Sequence, residues 1–111
     1  MIKSWSFPVF SGYKITVVSS NDIKKAIGKF KHTKNVDVEN TEACHIAVEN
    51  EPLSYIFVPH RITLSQMVHE SYHAIRRLMR YHGVNLDDNE VVAYHLGYLV
   101  QQISDWRWSW K

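Results

Sequence analysis

The stretch Thr63-Leu64-Ser65-Gln66-Met67-Val68-His69-Glu70-Ser71-Tyr72-His73-Ala74-Ile75-Arg76-Arg77-Leu78-Met79-Arg80-Tyr81-His82-Gly83 decides how this chain is organised. Thr63 is a helix N-cap residue, Gln66 stands where a capping box closes, and Gly83 supplies the stop at the far end. The pattern between them predicts one long helix from Leu64 to about His82. With residues placed about 100° apart, Leu64, Val68, Ser71, Ile75 and Leu78 form its apolar face, nearly opposite His69, His73 and Arg80. The two histidines are therefore expected on the open side of the helix, not in the core.

Upstream, Ala43-Cys44-His45-Ile46-Ala47-Val48 and Ser54-Tyr55-Ile56-Phe57-Val58 are strand-like runs joined by Glu49-Asn50-Glu51-Pro52, which suits an antiparallel hairpin. Earlier still, Tyr13-Lys14-Ile15-Thr16-Val17-Val18 reads as a strand. Ser19-Ser20-Asn21 then turns into a short amphipathic helix over 22–31, with Ile23, Ala26, Ile27 and Phe30 on its apolar side. Lys34 to Glu42 is a polar connection. Downstream, Asp87-Asp88-Asn89 caps a further helix from Glu90 to about Ile103, and Trp106-Arg107-Trp108-Ser109-Trp110 is a short aromatic tail that either folds back or forms a homodimer surface. The order β, α, β, β, α, α predicts one α+β domain spanning residues 1–111, with a three-stranded sheet packed on helices.

Composition excludes several classes. A chain of 111 residues with 45% hydrophobic residues holds one modest core. Lys+Arg 13 against Asp+Glu 11 leaves +2, too weak and mixed to point to nucleic acid or a membrane surface, and a nucleic-acid partner is not expected. One cysteine, Cys44, forms no intramolecular disulfide and no Cys-based metal cluster. The start Met1-Ile2-Lys3-Ser4-Trp5-Ser6-Phe7-Pro8 lacks a signal-peptide apolar run, and no stretch is apolar enough to span a bilayer, so a cytoplasmic location is expected.

His69-Glu70-Ser71-Tyr72-His73 carries the chemistry. Imidazoles at i and i+4 lie one turn apart on one face and can share a Zn²⁺, while the intervening carboxylate stands beside the metal as a base. With 7 His and six Glu in 111 residues, such a match arises by chance in roughly 2% of chains. A third ligand is offered by Glu90, which shares a stripe with Ala93, Gly97 and Gln101; small residues there would let the two helices approach closely. Asp87 and Asp88 compete for that role, and a purely dipole-complementing Glu90 is the plainer reading. Three protein ligands leave a fourth position for water, whose proton Glu70 would take during amide hydrolysis. Tyr94 and His60 are candidate oxyanion helpers. Arg76, Arg77 and Arg80 either attract acidic groups of a substrate or solvate the helix. His45, His82 and His95 have no partner spacing and receive no role.

The segment from Thr63 to about Ile103 resembles a gluzincin-like zinc metallopeptidase, a zincin: His69-Glu70-x-x-His73 on one helix, then Glu90 opening the next as Glu-x-x-Ala-Tyr. In size and layout the chain is similar to the short zincin-like proteins of bacterial viruses. The resemblance implies a minimal zincin-like domain with His69, His73 and Glu90 as zinc ligands and Glu70 as catalytic base. It also implies a peptide or protein substrate laid along an edge formed by Tyr55 to Val58. Arg76 and Met79 stand where the metzincin pattern has Gly and a third His. Two functions follow: a zinc-dependent metallopeptidase with a narrow protein substrate, or a non-catalytic zincin-like module acting through structural zinc or partner binding.

Overall fold

The computed structural model describes residues 1–10, 12–37, 42–85, 87 and 89–110. Its elements are β1 (Lys3–Phe10), β2 (Tyr13–Ser19), α1 (Ile23–Ile27), β3 (Cys44–Ala47), β4 (Leu53–Val58), α2 (Leu64–Tyr81) and α3 (Asn89–Trp108). The sheet has four strands in the order β1-β2-β4-β3, with β1–β2 and β3–β4 antiparallel and β2–β4 parallel. The domain is thus α+β with a mixed sheet, and the three-stranded expectation is corrected by β1. That strand escapes the sequence pattern because Pro8 interrupts it and half of its residues are exposed. Proline is tolerated at an edge, where one side of the strand donates to nothing, and the register slips between Pro8 and Phe10.

The two central strands are covered on both faces, so their sequences read as nearly continuous β-branched and aromatic runs. Alternation still sorts the side chains. Ile15, Val17, Ile56 and Val58 face Met67, Ala74, Ile75, Leu78 and Met79 of α2 and Leu99 and Ile103 of α3. Val18, Tyr55 and Phe57 face Ile23, Ala26 and Ile27 of α1. The sheet is therefore a middle layer, with α1 on one side and the α2–α3 pair on the other.

Helix α1 is shorter than its apolar spacing suggests. Asp22 caps its start by accepting from the Lys25 amide, and Gly28 ends it. Phe30 lies beyond the helix and packs on Tyr55 and Phe57 at ring-centroid distances of 5.5 and 6.0 Å. The buried Thr33 hydroxyl donates to the Ile27 carbonyl at 2.7 Å, satisfying an acceptor that the helix leaves open.

Helix α2 follows the sequence reading closely. The Gln66 amide donates to Thr63 Oγ1 at 3.1 Å while the Thr63 amide donates to Gln66 Oε1 at 3.0 Å, completing the capping box. At the far end Gly83 turns the chain at φ +72°, a conformation that a side chain would strain. The core face is set by Ser71, Ile75 and Leu78 together with Met67, Ala74 and Met79. Leu64 and Val68, expected on that face, are instead exposed, while Met67 and Glu70 beside them are buried.

Helix α3 extends through Trp108, absorbing most of the segment read as a tail. Its Val92, Leu96, Leu99 and Ile103 form the stripe that faces the core. Trp110 packs edge-on to Trp106 at 5.0 Å and to His60 at 5.5 Å, with the Arg107 guanidinium 4.4 Å above it.

Strand β4 lies inside the sheet, between β2 and β3. The expectation that Tyr55 to Val58 offers a peptide-binding edge is therefore overturned: both its neighbours are already paired. The sheet edge beside α2 is β3.

Replacing the fully buried Leu78 by Ala should destabilise the domain by about 2–5 kcal/mol, whereas Thr63→Ala, which removes one half of an exposed capping box, should cost about 1 kcal/mol. Urea unfolding followed by circular dichroism measures both. Equal losses would mean that the α2–sheet packing described here is not where the stability resides.

Candidate metal centre

The surface of α2 that turns away from the core carries His69 and His73, both exposed. Their Nε2 atoms are 3.2 Å apart, with ring planes 80° to one another. Two imidazoles bound to one tetrahedral zinc through ~2.0–2.1 Å bonds hold their nitrogens about 3.3–3.4 Å apart. The pair thus has the nitrogen spacing of half a zinc site. In the metal-free state the same spacing lets one ring donate to the other.

Glu70 sits beneath the pair. It is 7% exposed, and its Oε2 lies 3.9 Å from His69 Nε2. Burial raises its pKa above the usual carboxylate value, with His69 and His73 acting in the opposite direction when charged. A carboxylate with little water around it and two imidazoles nearby is suited to taking up a proton and passing it on.

A third imidazole joins the group from the sheet. His45 on β3 stacks on His73, with ring centroids 6.3 Å apart and planes at 16°. Its Nε2 shares a 2.9 Å hydrogen bond with Ser54 Oγ on β4, and that hydroxyl shares a buried one with the Tyr13 phenol on β2. A polar chain thus crosses the sheet and ends at the histidine face of α2. Desolvation, followed by the neighbouring His73 and Arg77, lowers the pKa of His45 to about 4. His45 is therefore neutral over the range in which ordinary histidines titrate. Spacing along the chain assigned it no role; only the register of β3 against α2 brings it to His73.

Glu90 is not brought to this group. It is exposed in the first turn of α3, and its stripe, Ala93, Gly97 and Gln101, is exposed with it. A Cβ placed on Gly97 would meet nothing within 4 Å, so the close helix approach read from these small residues does not occur. The contact between α3 and the core is made by the opposite stripe. Asp87, also exposed, lines a separate cleft with Tyr72, Arg76 and Asn89, and Asp88 falls outside the described residues. Among the described residues, no group of three or more His, Cys, Asp or Glu side chains is placed to hold a metal. The donors that fit zinc are the two histidines; the third ligand position is not filled by Glu90.

The two candidate oxyanion helpers have other surroundings. His60 shares hydrogen bonds of 2.8 Å with Ser19 Oγ through Nδ1 and with the Met1 carbonyl through Nε2, so both ring nitrogens are engaged in tying β2 to the N-terminal segment. Tyr94 is 74% exposed and rests edge-on to His95. His82 and His95 both pack edge-on to Phe10 and belong to the β1 end of the core. Burial, then Glu70, pushes the Cys44 thiol up to about 11, which keeps it protonated near neutral pH.

Compared with known proteins, the chain matches no protein-family model, no curated protein and no solved structure.

Two measurements follow from this geometry. Zinc titration at neutral pH should show one site that weakens at least about 100-fold in His69→Ala or His73→Ala and on acidification, because only neutral imidazole binds. Glu90→Ala should leave affinity within about twofold, since that side chain stands apart from the pair; a loss equal to that of a histidine variant would place Glu90 on the metal. For His45 the linkage is signed. The unfolded chain takes up a proton near its ordinary pKa of 6.5, which the folded chain refuses until about 4. The associated stability is complete above pH 6.5 and is lost as pH falls toward 4, amounting to about 3 kcal/mol at most. Urea midpoints of the metal-free protein should fall over that window, and more gently in His45→Gln. Parallel pH dependence in the two proteins would remove His45 from this role.

Proposed function

We propose that the chain is a zinc-dependent metallopeptidase that hydrolyses a peptide bond in a narrow protein substrate. The observation that carries this reading is the His69–His73 nitrogen spacing of 3.2 Å directly above the buried Glu70. His69 and His73 would hold the metal. When bound, zinc would supply Lewis acidity toward an amide carbonyl.

The remaining steps belong to the chain's own groups. Glu70, kept partly desolvated, accepts the proton that a hydrolytic water gives up and returns it to the departing amine. Its burial raises its proton affinity, which favours uptake of the proton that the water gives up. His45 stacks on one side of His73 and restricts that ring's orientation while staying uncharged, which spares the site a third positive group. Substrate backbone would lie against β3, whose outer edge is unpaired among the described residues.

A second reading has one observation in its favour: Glu90 faces solvent, and no third ligand joins the two histidines among the described residues. In that case the domain is a non-catalytic module in which the histidine pair carries a metal for stability or partner binding, as a virus-encoded regulator would.

Glu70→Gln separates the two. The variant keeps shape and removes the base, so zinc content and melting temperature should stay near those of the parent. Cleavage of a randomised fluorescence-quenched peptide library should fall at least about 100-fold. If the zinc-loaded parent cleaves none of the library, or if the variant cleaves equally well, the peptidase reading fails and the module reading stands.

A further inference from the structure

Past His73, helix α2 presents Arg76, Arg77 and Arg80, and these line one cleft of about 400 Å³ with His45, Tyr72 and His73. No carboxylate lines that cleft among the described residues. None of the three guanidinium groups forms an ion pair among those residues either, where the ion pairs present join His32 to Glu51 and His69 to Glu70. Arg76 donates to the Tyr72 hydroxyl at 3.3 Å and lies over that ring; Arg77 donates to the Val48 carbonyl at 3.3 Å and lies over Tyr81. Arg80 is exposed and makes no hydrogen bond among the described residues. Asp87, in the adjoining cleft that shares Tyr72 and Arg76, forms no ion pair with Arg76.

This is an unusual way to leave three permanent cations. Arginine does not lose its proton, and like charges at i and i+4, here Arg76 and Arg80, repel one another on a helix. The helix dipole favours Arg80, which is in the last turn, but reaches Arg76 and Arg77 weakly because its effect fades within a turn. Solvation of a helix surface accounts for scattered arginines; it does not account for three sharing a concavity with the histidine pair and with the edge strand's His45.

We propose that this cleft is a specificity subsite that takes an acidic side chain of the bound peptide. Forked guanidinium donors match a carboxylate's two oxygens, and the tyrosine and arginine stacking holds the Arg76 and Arg77 planes in place before the ligand arrives. His45 brings β3 to the cleft wall, so an extended chain beside that strand passes the arginines as it approaches His73. That the ligand is a peptide rests on the peptidase reading; binding of the carboxylates does not depend on zinc or on cleavage.

The test uses the full metal-free chain and fluorescence anisotropy with two labelled probes, octa-glutamate and octa-glutamine. Octa-glutamate should bind saturably and at least about tenfold more tightly than octa-glutamine, as expected for charge-assisted hydrogen bonds at a forked donor. Arg76→Gln with Arg80→Gln should weaken octa-glutamate about tenfold or more, and Arg80→Gln alone, the fallback if the pair unfolds, by about threefold or more. Lys24→Gln with Lys25→Gln, which removes the same charge from exposed positions on α1, should change binding less than about twofold. The subsite is overturned if octa-glutamate does not saturate, if octa-glutamine binds as well, or if the lysine pair matters as much as the arginine pair. Because no metal is present, a failed peptidase assay leaves this result standing, and a failed binding assay leaves the peptidase reading untouched.

Discussion

The packing of one face of α2 against the two central strands sets everything that happens on its other face. Ala74, Ile75, Leu78 and Met79 are fully buried against the sheet side of the domain. A helix locked by four such contacts cannot rotate without exposing apolar surface, and at about 25 cal/mol per Å² even a modest turn of the helix would be costly. The azimuth of His69 and His73 is therefore inherited from the core. So is the depth of Glu70, which lies at the border between the two faces and is neither in the core nor in water. Its proton affinity follows from that position more than from any partner.

Much of this was legible beforehand because it is local. Capping at Thr63 and Gln66, the stop at Gly83 and the opposition of histidines to Ile75 and Leu78 depend on residues within a few turns of one another, and all appear in the structure. The hairpin of β3 and β4 was legible for the same reason. What escaped was either masked locally or depends on partners distant in sequence. Strand β1 is held by β2 rather than by its own composition, with Pro8 masking it. The interior place of β4 is decided by its parallel pairing to β2, which no spacing within Leu53–Val58 reveals. Small residues beside Glu90 suggested a tight helix contact, yet small residues serve equally well on a surface, and here they face solvent.

The candidate site shows the same division. The His-Glu-x-x-His spacing identified two imidazoles and a carboxylate, and the structure sets the nitrogens at a separation a metal could use. The contribution of His45 needed the sheet: Tyr13, Ser54 and His45 come from three strands and form one polar chain that ends against His73. Polar groups in such a chain are satisfied by each other, which keeps a hydroxyl, a phenol and an imidazole tolerable in a largely apolar setting. They also give the His73 ring a neighbour of fixed orientation.

The parallel seam between β2 and β4 has a consequence for how the molecule assembles. Each antiparallel hairpin can zip up from residues close in the chain, but the seam joins Lys14–Ser19 to Leu53–Val58 across the whole of α1 and the connection that follows it. The entropy of closing that long loop is lost before the seam's burial compensates for it, which makes this the slow event of folding. Helix α2 packs on β3 and β4, the hairpin that precedes it in the chain, so this local unit can set the azimuth of the histidine pair before the seam to β2 closes.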